Sequence, residues 1–324
     1  MYLFELNFFL EYLCASFENP MKIILNAQQN QFSIKSLFAD FLAITKARLA
    51  VSVVFSSVAG YLLGFSDDYP FSWTTLILLT IGGYCMVGAS NVFNQIIEKD
   101  LDALMDRTKN RPVPAGKISV RNAFIIGAVL TIAGIAILYS INPKTAMFGA
   151  ISIFLYTSIY TPLKTKTPLA VFVGAFPGAI PYMLGWVAAR GTFGIEAGTL
   201  FLIQFFWQFP HFWAIGWFLF DDYKKAGFFM LPTGRRDKKT ARQTIMYTIW
   251  LIVASILPVT GYTGELRLSI VSAVLVFLAG LWMLVYAVKL YNKMDAAAAR
   301  KLMLVSVSYI SLMQVIYIID KFIH

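Results

Sequence analysis

The chain has 324 residues, of which 58% are hydrophobic and 14% charged, whereas soluble domains run at roughly 45–50% and about 25%. That excess excludes an ordinary soluble domain and points to lipid as the solvent. Two cysteines, Cys14 and Cys85, exclude a disulfide framework, two histidines exclude a His-rich metal centre, and the net charge of +10 has to be read from where the bases lie.

Residues 1–40 predict a leader, cytoplasmic or lying on the membrane surface, ahead of a membrane domain over 41–324. The stretch Met1–Ser16 is apolar but short, carries Glu5 and Glu11 and lacks a basic start, so it does not read as a signal peptide. A surface-lying segment and a true start at Met21 both fit it, and the polar residues 26–34 predict a mobile leader. About nine apolar stretches follow, near 48–66, 73–97, 121–140, 145–162, 168–188, 197–220, 243–262, 268–288 and 302–319. Each approaches the roughly 20 residues a spanning helix needs. They are apolar on all sides and too long for strands, so only helices satisfy their backbone in lipid. The predicted fold is an all-α integral membrane bundle.

Bases set the orientation. The connection after the second stretch carries Lys99, Arg107, Lys109, Arg111, Lys117 and Arg121; after the fourth, Lys164 and Lys166. The sixth is followed by Lys224, Lys225, Arg235, Arg236, Lys238, Lys239 and Arg242, and the eighth by Lys289, Lys293, Arg300 and Lys301. The alternate connections hold only Lys144, Arg190 and Arg267. The basic connections are therefore predicted to face the cytoplasm, together with the N-terminus.

The acids are few but clustered. Glu98, Asp100, Asp102 and Asp106 follow the second stretch, and Asp221, Asp222 and Asp237 follow the sixth. Asn94, Glu98, Asp102 and Asp106 recur every four residues, which on a helix places them on one face. Carboxylates gathered this way repel unless a cation sits between them. Mg²⁺ takes oxygen ligands and is commonly shared with substrate phosphates. Arg107, Lys109 and Arg111 follow at once, bases suited to phosphate oxygens. The combination predicts a grip for a metal–diphosphate group. Positive-inside bias explains the bases but not the acids, and polar groups at a helix end in the membrane are usually functional.

These residues carry a resemblance. Asn94–Pro112 reads N-x-x-x-E-x-D-x-D-x-x-M-x-R-T-K-N-R-P, which resembles the first Asp-rich motif of the UbiA superfamily of intramembrane prenyltransferases, in the form found in its haem O synthase branch. Tyr160-Thr161-Pro162-Leu163-Lys164 resembles that family's Tyr/Lys motif, and Trp207-Gln208-Phe209-Pro210-His211-Phe212-Trp213-Ala214 resembles the branch's Gln-x-Pro-His-Phe-Trp signature. Asp222-Tyr223-Lys224-Lys225-Ala226-Gly227, followed by Met230-Leu231-Pro232, resembles its second acidic loop. The likeness covers roughly 40–320. Three departures stand: Glu98 replaces a frequent Asp, the second-loop acids Asp221 and Asp222 are adjacent rather than four apart, and Lys46-Ala47-Arg48 lacks the proline of the family's Lys-Pro-Arg.

The resemblance implies a UbiA-like helical bundle whose central cavity opens to the cytoplasmic loops, in the inner membrane. It implies farnesyl transfer from farnesyl diphosphate to a vinyl group of haem b, with addition of water and release of diphosphate. Asn94, Glu98, Asp102, Asp106 and Asp222 would hold Mg²⁺; Arg107, Lys109, Arg111, Lys164 and Lys224 would meet the diphosphate; Tyr160 would contact it or shield a farnesyl cation. Trp213, within the signature segment, would line the substrate site. His211 is a polar ring in an apolar run, and either a hydrogen bond to a neighbouring helix or contact with haem explains it. Haem A synthase or a terminal oxidase assembly is an implied partner, and nucleic acid is not. The alternatives are a superfamily enzyme acting on a quinone precursor or chlorophyllide, a transporter with polar groups at mid-depth, and a structural subunit with no use for the acids.

Overall fold

The computed structural model describes residues 34–324. The expectations for residues 1–33, including the start site and nearly all of the leader, lie outside the described residues. Helix α1 (Ile34–Ile44) begins within the stretch predicted as leader. The remainder is helical throughout, with no strand among the described residues.

The long helices are α2 (Ala47–Gly64), α3 (Trp73–Ile97), α5 (Val120–Ile141), α6 (Pro143–Phe154), α7 (Leu169–Arg190), α8 (Ile195–Phe218), α10 (Lys238–Ile256), α11 (Ile270–Lys293) and α12 (Ala296–Ile323). Two short helices, α4 (Lys99–Leu104) and α9 (Phe220–Lys225), lie in the loops after α3 and α8. Helix α6 runs on through a π-helical turn, Leu155–Tyr160, into Thr161–Leu163.

Among the described residues, eight helices are long and apolar enough to cross a membrane. The ninth predicted span is present as α8, 24 residues long, and is not among those eight. Gln204, Gln208, Pro210 and His211 interrupt it. It packs against α7, α10 and α12, so protein covers much of its polar content. The chain is a multi-pass membrane protein.

Side-chain caps begin several helices. Ser72, Ser119, Asn142, Asp237, Ser269 and Asp295 each accept an N–H three residues on, which satisfies donors that water does not reach near lipid. Helices α2 and α7 meet through glycines: a Cβ on Gly185 would lie 1.9 Å from Ser57 O, and one on Gly60 would lie 2.0 Å from Tyr182 O. Small residues let the two backbones touch.

Contacts define the two ends of the bundle. At one end Lys164 meets Glu98, Asp222 meets the loop at Asp106, and Phe229 N–H donates to Lys164 O at 2.7 Å. At the other, Asn142 donates to Val187 O, Arg190 reaches Gly64 O and Glu265, and Ser269 donates to Asp320. Lys238 lies 5.8 Å from the Tyr291 ring centre in the last turn of α11, so all four connections rich in bases share one end, as the alternation in sequence predicts.

Candidate active site

The site is built at the basic end, where α3 gives way to α4. The α-helical hydrogen bonds continue through the junction: Glu98 N–H donates to Asn94 O at 2.9 Å and Asp102 N–H to Glu98 O at 2.7 Å. Asn94, Glu98 and Asp102 therefore do share one face, and all three are buried. The chain turns extended at Met105, held by Thr108 Oγ1 donating to Asp102 O. Asp106 lies beyond that break. Its side chain is 67% exposed while that of Asp102 is fully buried, so the four-residue period ends at Asp102.

Each buried acid is matched by a base from elsewhere. Lys164 Nζ sits 2.7 Å from Glu98 Oε1, and Arg111 Nη1 sits 2.6 Å from Asp102 Oδ2. Burial opposes the charge of Lys164, but Glu98 outweighs it and raises the ammonium above the ordinary lysine value. Asp102 Oδ1, although buried, has no hydrogen-bond partner. Asn94 spans two neighbours: its Nδ2 donates to Thr161 Oγ1 and its Oδ1 accepts from Lys46 Nζ, both at 3.4 Å.

The second acidic loop docks on the first. Asp222 accepts the N–H groups of Asp106 and Arg107 at 2.8 and 3.3 Å. Burial raises its carboxyl, but these donors and Lys225 more than offset that and hold it below the usual carboxylate range. Asp106 accepts from Lys109 and Lys225, which lower its carboxyl to about 2. Asp221 points away to Arg236 at 3.1 Å.

The π-helical turn places the aromatic wall. Thr161 N–H donates to Tyr156 O, five residues back, in the turn that precedes Pro162. π-turns inside α-helices are frequent at functional sites. The turn sets Tyr156 and Tyr160 5.2 Å apart, with Lys164 Nζ 4.6 Å from the Tyr160 ring centre and 5.7 Å from that of Phe228. Gly174 makes room for Tyr160, because a Cβ there would lie 2.6 Å from the ring.

Several predicted positions differ from expectation. Among the described residues, no three His, Cys, Asp or Glu side chains lie close enough to hold a metal ion. The five expected ligands are not gathered, because Asp106 leaves the helical face and Asp222 accepts backbone N–H groups. The donor set of Asn94, Glu98 and Asp102 still fits a hard cation, being all oxygen and containing the unpartnered Asp102 Oδ1. Arg107 lies 5.7 Å over the Tyr223 ring and Lys109 pairs with Asp106. Lys224 is exposed without an ion pair among the described residues; its neighbour Lys225, absent from the predicted set, makes the contacts. Trp213 is 5% exposed and packs on Phe209 and Tyr247, which makes it part of the core.

His211 lies in α8, stacked on Trp207 at 4.4 Å between ring centres. Its Nδ1 is 2.8 Å from Ser306 Oγ, and Ser306 gives its own hydroxyl to Met303 O. Ser306 then accepts from Nδ1–H, which leaves Nε2 with a free lone pair. Elsewhere in the bundle, Gln314 donates to Ser56 and Gln204, near the middle of three helices. These mid-depth groups are uncharged and bonded to one another, unlike a transport site.

The chain belongs to the UbiA prenyltransferase family, whose profile matches residues 53–310. It is 72% identical over 92% of its length to the protoheme IX farnesyltransferase of Flavobacterium johnsoniae, covering 99% of that protein. It is 43% identical to the protoheme IX farnesyltransferase of Cytophaga hutchinsonii, over 88% of this chain and 99% of the relative. The fold is similar to that of a UbiA homologue from Archaeoglobus fulgidus bound to GPP and Mg²⁺, with a TM-score of 0.61 at 15% identity over 86% of this chain and 99% of the other. A digeranylgeranylglyceryl phosphate synthase structure gives a TM-score of 0.73 at 17% identity, over 89% of this chain and 99% of that one.

Proposed function

We infer that this chain is a haem farnesyltransferase, forming haem O from haem b, farnesyl diphosphate and water in the bacterial inner membrane, with the basic end cytoplasmic. The 72% identity to a protoheme IX farnesyltransferase over 92% of the chain carries the reading. The oxygen ligands and bases at one membrane surface supply what it requires.

Asn94, Glu98 and Asp102 would hold Mg²⁺, which when bound lowers the charge of the diphosphate leaving group. Arg111 and Lys164 lie beside those acids and can turn to the phosphate oxygens, and Arg107 from the first loop and Lys225 from the second close the site. Fixed charges aimed at a leaving group are usually the largest catalytic term. The allylic C–O bond breaks with its electron pair going to diphosphate. The haem vinyl π pair forms the new C–C bond, water adds to the resulting cation, and a proton is lost. The faces of Tyr156 and Tyr160 shield the farnesyl cation by the attraction of a positive charge to an aromatic ring. Asp106 and Asp222 join the two loops. His211 is held by Ser306 of a neighbouring helix through Nδ1, and its Nε2 would be the nitrogen that meets haem.

The purified protein with haem b, farnesyl diphosphate and Mg²⁺ is expected to yield hydroxyethylfarnesyl haem. Prenylation of 4-hydroxybenzoate or a naphthoate alone would replace this reading with the quinone one. His211→Ala is expected to weaken haem binding about tenfold or more, the size of one lost ligand contact; unchanged haem spectra would leave the histidine structural.

A further inference from the structure

The entry to α2 holds a lysine that the reading above does not use. Lys46 has φ 50° and ψ 55°, a left-handed conformation that an L side chain adopts only when its surroundings enforce it. The enforcement comes from α3. Asn91 Nδ2 donates to Thr45 O at 3.0 Å and Gln95 Nε2 donates to Ile44 O at 2.9 Å, and both carboxamides are buried. Lys46 O then accepts the Ala50 N–H at 3.0 Å and α2 begins. The turn aims Nζ at Asn94 Oδ1, 3.4 Å away. Glycine would take this turn without strain, so a half-buried lysine here is a use of the ammonium rather than of the backbone.

Its surroundings show what the ammonium lacks. Arg111 and Lys164 are its cationic neighbours, and Glu98 and Asp102 its anionic ones. Those two acids are already paired with Lys164 and Arg111. Three cations therefore face two carboxylates, and Lys46 has a neutral amide as its partner. An uncompensated charge removed from water is costly, and a polyanion entering beside Asn94 relieves that cost.

We propose that Lys46 is a substrate-binding residue, which completes with Arg111 and Lys164 a three-cation cradle for the diphosphate of the allylic substrate. Asn91 and Gln95 are its positioning residues. The proposal rests on the diphosphate reading of the site.

Binding of farnesyl thiodiphosphate, a slowly reacting analogue, to the full chain in detergent with Mg²⁺ tests it. Lys46→Gly removes the ammonium and suits the left-handed turn, so its melting temperature is expected to equal or exceed that of the native protein. Its affinity for the analogue is expected to fall about tenfold or more, as for one lost charge-assisted hydrogen bond, with haem affinity unchanged. Lys46→Arg is expected to stay within about threefold, because the charge is kept. Lys46→Asn, which also tolerates positive φ, repeats the measurement independently of glycine. Analogue affinity within twofold of native in the Gly and Asn variants overturns the proposal while leaving the diphosphate reading intact. Failure of the native chain to bind the analogue overturns both.

Discussion

At the end of the bundle away from the acidic loops, Arg190 lies over the rings of Tyr69 and Trp186, donates Nε–H to Gly64 O and pairs with Glu265 at 2.6 Å. Asp320 there accepts both the N–H and the hydroxyl of Ser269, the residue that caps α11. At the loop end, Asp102 is as deeply buried but leaves Oδ1 without a partner, and Lys46 faces an amide where a carboxylate would suit it better. Both ends bury charge beside lipid. The far end closes its valences within the protein and so fastens helices together. The loop end leaves valences for something that is not protein, which distinguishes a binding site from a structural ion pair in the same bundle.

The largest expected effect breaks the comparison at Asp102. Asp102→Asn keeps the shape and removes the charge, and turnover is expected to fall by about 10²–10³-fold, the size of one lost transition-state stabiliser. The melting temperature is expected to change little, since Arg111 retains contact with solvent. A variant that melts early while its folded fraction turns over normally would move Asp102 to the structural side. Arg190→Met makes the opposite cut. Losing a charged hydrogen-bond pair and two ring contacts is expected to cost about 1–3 kcal/mol of stability, with turnover of the folded protein within about twofold of native. A loss of turnover without a loss of stability would place the far end in the mechanism.

Much of this contrast was legible in the sequence, for reasons that are local. Span limits follow from apolar length, so α3 is found over Trp73–Ile97 where 73–97 was expected. The shared face of Asn94, Glu98 and Asp102 follows from helical period. Period reasoning failed one turn later, because the helix ends at Leu104 and nothing in the charge pattern marks that end. The matching of Glu98 with Lys164, 66 residues apart, and of Asp222 with the backbone at Asp106, 116 apart, depends on which loops meet. No spacing rule reports that. In the sequence Lys46 stands out only as one of the N-terminal bases and as part of a motif, since its importance lies in a backbone angle and in two amides of another helix. Motif position alone points to Trp213 and Lys224 as site residues, although a helix turns neighbouring side chains to different sides. Trp213 faces the core, and Lys225 rather than Lys224 reaches the acids.

The smallest effect is expected at the link between the loops. Lys109 and Lys225 hold the Asp106 carboxyl at about 2, below the roughly 3.9 of an unperturbed aspartate. A carboxyl lowered by folding favours the folded arrangement above its unfolded value, and that contribution fades as pH falls through the folded one. The Asp106–Lys225 contact is therefore fully present at neutral pH, begins to weaken below about pH 4, and is lost only near pH 2. Any decline in turnover between pH 6 and pH 5 has another source, and Asp106→Asn is expected to leave that limb of the pH–rate profile in place. Exposed ion pairs contribute little, so turnover of this variant is expected to stay within about tenfold of native, well above that of Asp102→Asn. Equal losses in the two variants would return Asp106 to the metal-holding set and show that the first loop closes further when diphosphate enters.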